Sequence, residues 1–217
     1  MRMKKSIAFF ISFIVTIIFI SLIIVLLKPI KSTALPIILS IGFIFFMFFQ
    51  GLLKMSWNNK ILKKGTVLLE LEGVIFTNVQ KSWLFLFLII IYFSPMLREL
   101  SFKSMSLSRV FYFLAFTIIV FLLLKFSEKT MKVIFTKEGI VVTGLDLRVD
   151  ISLGQPLHNA TGFYPYSMIS GYLPLGDSIE LFLEYEQGKI LAIADDDIKI
   201  QILGILKSNN IEMRKYE

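Results

Sequence analysis

Residues 131–144 read M-K-V-I-F-T-K-E-G-I-V-V-T-G, two apolar-rich runs broken at Glu138-Gly139. Runs of β-branched and aromatic residues on either side of such a pair predict two strands joined by a tight turn. The pattern returns at 179–194, I-E-L-F-L-E-Y-E-Q-G-K-I-L-A-I-A. There Ile179, Leu181, Leu183 and Tyr185 share one face, while Glu180, Glu184 and Glu186 share the other with Phe182. Gln187-Gly188 is the expected turn, and 189–194 the returning strand. A polar stretch with Gly144, Gly154, Pro156 and Gly162 leads to a further expected strand over 163–170. From Asp195-Asp196-Asp197 the chain reads as one helix, its start suited to capping and to the positive end of the helix dipole. Ile198, Ile202, Ile205 and Leu206 form its apolar stripe, and Asn209-Asn210 its left-handed stop. A unit of this size holds one modest core, with little room for a buried active site.

Everything before it reads as membrane. The chain has 217 residues, 56% of them hydrophobic, with 22 Phe and a mean hydropathy of +0.76. Soluble domains lie near 45–50% apolar, so the excess marks a membrane protein. The net charge of +7 is divided unevenly. Residues 1–124 carry 13 Lys/Arg against 3 Asp/Glu, and residues 125–217 carry 10 against 13. The basic excess therefore flanks spans, and the mildly acidic second part is no nucleic-acid footprint. With no cysteine, disulfides and thiolate metal sites are excluded.

Four spans are expected, in two helical hairpins. The uncharged run 6–27 follows a basic start and is too long for a signal-peptide core. The second span covers 34–53, with Pro36 in its first turn. Residues 54–82 form a loop with five lysines, in which T-V-L-L-E-L-E-G-V-I-F-T-N (66–78) reads as a β-hairpin turning near Glu72-Gly73. The third span, 83–100, is interrupted at Pro95, which kinks it or ends it early. The fourth covers 107–126, and its length is the marginal one. The domain division is thus 1–53, 54–82, 83–126 and 127–217. The segment 72–78 resembles 138–144, either as an old duplication or as two ordinary Glu-Gly turns. Both β pieces fall on one side, where the first hairpin could join the later sheet. An N-terminus inside places 12 Lys/Arg on the inner side and 5 on the outer, which favours a multi-pass cell-membrane protein with both termini cytoplasmic.

Phe135-Thr136-Lys137-Glu138-Gly139-Ile140, the aromatic step 166–172 (Y-S-M-I-S-G-Y), and a closing strand pair followed by one helix carry a resemblance. They resemble bacterial pleckstrin-homology-like (PH-like) domains attached to small multi-span membrane proteins, over about 80 residues. Tyr166 stands where many relatives have Trp. The resemblance implies a PH-like antiparallel β-domain capped by one helix and carries no catalytic residues. Some members protect producer cells against leaderless bacteriocins, so it admits an immunity role.

Chemistry is sparse. His158 is the only histidine, which argues against a transition-metal site or a histidine-based triad. The three aspartates 195–197 read as cap and surface rather than a cation site. No G-x-S-x-G, G-x-x-x-x-G-K-[ST] or G-x-G-x-x-G occurs. The span centres hold no Asp, Glu, Lys, Arg or His, and Gln50 near an end is uncharged, which argues against ion-coupled transport and intramembrane catalysis. Tyr164, Tyr166 and Tyr172 line a peptide or headgroup groove, or else pack the core. Lys54, Lys60, Lys63 and Lys64 hold anionic lipid, or simply follow the positive-inside bias. The expectation is a non-enzymatic integral membrane protein without cofactor or metal, presenting its β-domain to a protein or lipid surface. A small transporter or transporter-associated subunit is the alternative. Its partners are the bilayer and a protein in the membrane or cytoplasm, not nucleic acid; oligomeric state stays open.

Overall fold

A computed structural model of the chain describes residues 5–26, 34–72, 78–99, 106–148, 159–184 and 188–214. Four helices precede most of the sheet: α1 (Lys5–Leu26), α2 (Leu35–Leu62), α3 (Asn78–Glu99) and α4 (Leu107–Thr130). Among the described residues three of them, over Ile7–Leu26, Leu35–Leu62 and Leu107–Thr130, are long and apolar enough to cross a membrane. Helix α4, expected to be marginal in length, is long enough to cross, and within α3 the apolar run among the described residues is Lys81–Ser94. Nothing in K-F-S-E-K-T (125–130) breaks α4, which starts where Ser106 Oγ accepts the Arg109 N–H at 3.4 Å. Nor does Pro95 end α3 early, since the helix runs on to Glu99. The helices meet largely through phenylalanine rings: Phe19 on Phe45 with centroids 4.0 Å apart, Phe43 on Phe87 at 4.3 Å, and Phe93 edge-on to Phe113 at 5.0 Å.

The length of α2 decides how the two halves join. Its 28 residues extend about 42 Å, some 12 Å more than a hydrocarbon core of about 30 Å. The last turns therefore run on beside the sheet. Strand β1 (Val67–Glu72) follows. It pairs antiparallel with β2 (Lys132–Thr136), with Glu70 opposite Ile134 and Glu72 opposite Lys132. The return strand expected after Glu72-Gly73 lies outside the described residues up to Thr77, and Asn78 already opens α3.

β2 continues the first sheet through β3 (Gly139–Thr143) and β4 (Gly162–Pro165), in the order β1-β2-β3-β4. The single strand expected over 163–170 is instead two strands in two sheets. A one-turn 3-10 helix at Tyr166–Met168 separates β4 from β5 (Ile169–Leu175), because Pro165 has no N–H to continue a ladder. β5, β6 (Ser178–Leu183) and β7 (Lys189–Ile193) form a second antiparallel sheet. Along β6, Ile179, Leu181 and Leu183 are buried, as the alternation requires; Tyr185 and Glu186 lie outside the described residues. Helix α5 (Asp196–Ser208) closes the domain. Asp195 Oδ1 accepts the Ile198 N–H at 2.9 Å, Ile202 and Leu206 face the core, and Asn210 takes the left-handed conformation, φ 55°.

One apolar core runs through both halves. Phe135, Ile140, Val142, Leu181, Ile190, Ile202 and Leu206 fill the domain, and Met131, Leu145 and Leu147 carry the cluster on to Met47, Leu84, Leu88, Val120 and Leu124 of the helices. Burying such side chains contributes about 1.5–3 kcal/mol each. The membrane half and the sheet thus share a core.

Candidate functional site

Immediately after β3 the chain enters the junction between α2, α4 and the sheet. Gly144 allows the turn: its φ is +137°, and a Cβ there would lie 2.5 Å from the Thr130 carbonyl oxygen at the end of α4. Residues 144–148 are then buried throughout. In L-D-L-R, Leu145 and Leu147 join the apolar core, while Asp146 and Arg148 bond to each other. Helix α4 grips the segment, with Ser127 Oγ donating to the Leu145 carbonyl and Thr130 Oγ1 accepting the Leu145 N–H at 3.0 Å. Helix α2 closes on it from the other side at Gly51. A Cβ on Gly51 would sit 3.0 Å from the Asp146 carbonyl oxygen.

The polar members form a buried network. Asp146 is fully enclosed and accepts four bonds. They come from Arg148 N–H at 3.0 Å, Arg148 Nε at 2.7 Å, Arg148 Nη2 at 2.9 Å and Thr161 Oγ1 at 3.3 Å. Arg148 Nη2 also donates to the Asn159 carbonyl at 2.7 Å, and Lys54 Nζ reaches from α2 to the Arg148 carbonyl at 3.1 Å. Asn159, left-handed at φ 54°, extends the network to β7: its N–H donates to Lys189 O, and its Oδ1 accepts the Leu191 N–H at 2.6 Å. One turn beyond Lys54, Asn58 Nδ2 donates to Val142 O at 3.1 Å. Burial by itself would raise the Asp146 carboxyl. The charge of Arg148, then that of Lys54, and the Arg148 hydrogen bonds outweigh it and hold the group well below the usual carboxylate range.

Spacing explains why α2 takes part. Gln50, Lys54 and Asn58 lie four residues apart, so they share one face of the helix, and all three are buried. This stripe, with D-L-R at 146–148, is the sequence signal for the junction. It was obscured because Lys54 reads naturally as the first charge beyond a span.

Lys54 is accordingly not a headgroup ligand: it is 4% exposed and turned toward the β-domain. Lys60, Lys63 and Lys64 are exposed on the projecting end of α2 and its turn. The three tyrosines, read as groove or core, are all buried. Tyr164 donates to Ala160 O at 2.7 Å and Tyr166 to Thr136 O at 2.8 Å, and burial pushes the Tyr166 hydroxyl up to about 12. Tyr172 presents its backbone, not its ring. Its N–H donates to Glu212 O at 3.1 Å and its carbonyl accepts the Arg214 N–H at 2.9 Å, so the chain's own end lies parallel along β5. Arg214 then stacks over the Phe182 ring, 4.3 Å from its centroid, and donates to Ser170 Oγ. His158 lies outside the described residues. Of the three aspartates, Asp195 caps α5 and Asp196 pairs with Lys199 at 2.9 Å. No group of three or more potential metal ligands occurs among the described residues.

This arrangement can lock two structural units together and fix their orientation. Compared with protein-family models, curated proteins and solved structures, the chain matches none.

Proposed function

We propose that this chain is a non-enzymatic integral membrane protein that holds a PH-like β-domain at one membrane face, where it binds a segment of another protein. The observation that carries this reading is the completion of the domain by the membrane half. β1 is an edge strand of its first sheet, and the last turns of α2 supply Lys54 and Asn58 to its buried network. A domain so attached cannot swing on a tether, which suits a module that presents a surface in fixed orientation. Seven strands in sheets of four and three, followed by one helix, support the PH-like assignment.

The same pairing supports four crossings. β1 and β2 are neighbours in one sheet, so the chain between them crosses the bilayer an even number of times. α4 is long enough to cross once, and α3, 22 residues or about 33 Å, is the segment left for the return. The lysine bias then puts sheet and termini in the cytoplasm. Immunity against a membrane-active bacteriocin is one special case of such presentation.

Because the chain lacks cysteine, single-cysteine cross-linking tests the reading directly. Ile200→Cys and Met213→Cys lie on the exposed domain surface, and Phe10→Cys and Leu122→Cys on exposed surfaces of the apolar helices. In native membranes the domain positions should give a discrete protein adduct and label with a thiol reagent only from the cytoplasmic side. Adducts confined to the helix positions would overturn the proposal and favour a transport-associated role.

A further inference from the structure

Two sheets present four edges, and three are covered or blunted. β4 is four residues long, ends at Pro165 and lies beside α2. β5 carries the chain's own Ile211–Arg214 segment along Tyr172, and Pro174 removes a donor beyond it. β7 is held at Lys189 and Leu191 by Asn159. β1 differs. Among the described residues no backbone hydrogen bond reaches it from the side away from β2, although β7 passes close by. At its start Val67 and Leu68 are 47% and 43% exposed, apolar side chains on an edge with no backbone partner among the described residues.

Four lysines surround that start. Lys60, Lys63 and Lys64 come from the end of α2, and Lys137 from the β2–β3 turn, tied in by its N–H to Thr66 O at 3.2 Å. All four are exposed and none is ion-paired among the described residues; the exposed carboxylates nearby are Glu138 on that turn and, farther along β1, Glu72 and Glu70, the latter paired with Lys132. The patch projects along α2 beyond the junction. Lys54 is level with the end of α4, because both hold residues 145–148, and Lys63 lies nine residues farther along the helix. That is about 14 Å along the helix axis. A bilayer surface cannot reach an edge strand's backbone in any case.

We infer that the β1 edge, with Val67, Leu68 and the four lysines, is a docking site for an extended acidic segment of a partner protein, added to the sheet as a fifth strand. The inference rests on the presentation reading above and names the surface it uses. Backbone groups along β1 supply the pairing, Val67 and Leu68 accept apolar side chains on one face, and the lysines select carboxylates.

The test uses the full chain in nanodiscs of neutral lipid and a fluorescent peptide of alternating Glu and Val. Saturable binding that weakens with salt is expected, reduced at least about tenfold by the quadruple variant Lys60→Glu, Lys63→Glu, Lys64→Glu, Lys137→Glu. A peptide of alternating Lys and Val should not bind, nor should the Glu–Val peptide once N-methylated, since it cannot pair with an edge. Equal binding of the N-methylated peptide, an unchanged quadruple variant, or displacement of the peptide by phosphatidylserine vesicles would each overturn the inference. All four lysines are exposed, so the variant should fold; a melting temperature matching the parent's checks this. Absent peptide binding together with intact cross-linking at Ile200→Cys or Met213→Cys would remove this edge and leave the presentation reading standing.

Discussion

Replacing Asp146 by Asn alters the junction with minimal change of shape. The carboxylate accepts three bonds from Arg148 and one from Thr161 while fully enclosed. In the variant one side-chain oxygen survives, but the other becomes an NH2 group facing the Arg148 and Thr161 donors. Two buried cations, Lys54 and Arg148, lose the anion between them. Hydrogen bonds to charged groups contribute about 1.5–3 kcal/mol each without adding linearly, and removing one partner of a buried pair costs about 3–5 kcal/mol. The latter figure is the better guide, because the bonds share one carboxylate. For a chain of this length it corresponds to a fall in melting temperature of about 6–20 °C. Tryptophan fluorescence from Trp57 and Trp83 during heating in nanodiscs reads it. The pH dependence gives an independent check. The folded carboxyl lies below its unfolded value of about 3.9, so its stabilisation is complete above that pH. It is lost as pH falls toward the folded value, and the parent should show an acid limb beginning near pH 4 that Asp146→Asn lacks. A melting temperature within about 2 °C of the parent, together with an unchanged acid limb, would refute the assignment of the junction as an ionic lock. Asp146→Leu with Arg148→Met, which removes both charges, should recover part of the loss.

Other outcomes follow from neighbouring features. Gly144→Ala places a Cβ 2.5 Å from Thr130 O at positive φ, and should destabilise by more than about 1 kcal/mol in the same melting assay. Tyr166→Phe leaves the Thr136 carbonyl without its donor and should cost about 1–2 kcal/mol. Because burial raises that hydroxyl to about 12, the parent loses stability between about pH 10 and pH 12 as the unfolded chain ionises first, and the variant should show a shallower alkaline limb. A 127–217 fragment lacks β1, Lys54 and Asn58, and should show few slowly exchanging amides in β2. Adding a peptide of residues 54–72 should protect them. Lys132→Ala, which removes the exposed pair with Glu70 at 2.5 Å, should change stability by less than about 1 kcal/mol.

Much of the architecture is legible in local pattern, because the physics behind it is local. The alternation along β6, the turn at Glu138-Gly139 and the Asp195 cap each depend on residues a few positions apart, and each stands in the structure where the pattern puts it, as do three of the apolar helices. The strand at 67–72 is equally legible, but its partner is not: local alternation makes a strand without saying which edge it joins, and a neighbouring hairpin is the cheaper guess in loop entropy. Burial is likewise decided at a distance. Tyr164, Tyr166 and Tyr172 read alike as groove or core, and the packing of the two sheets around them settles the matter. Lys54 and Arg148 stand 94 positions apart in sequence, and only the continuation of α2 past the membrane thickness brings the lysine to the carbonyl behind Asp146. The sequence alone determined the apolar helical runs, the β2–β3 turn, the alternation of β6 and the cap of α5, since those are settled within a turn or two of chain. The tertiary structure alone decided that spans and sheet share one core and one buried ionic network, because long-range pairing and the covering of a face are properties of the assembled chain.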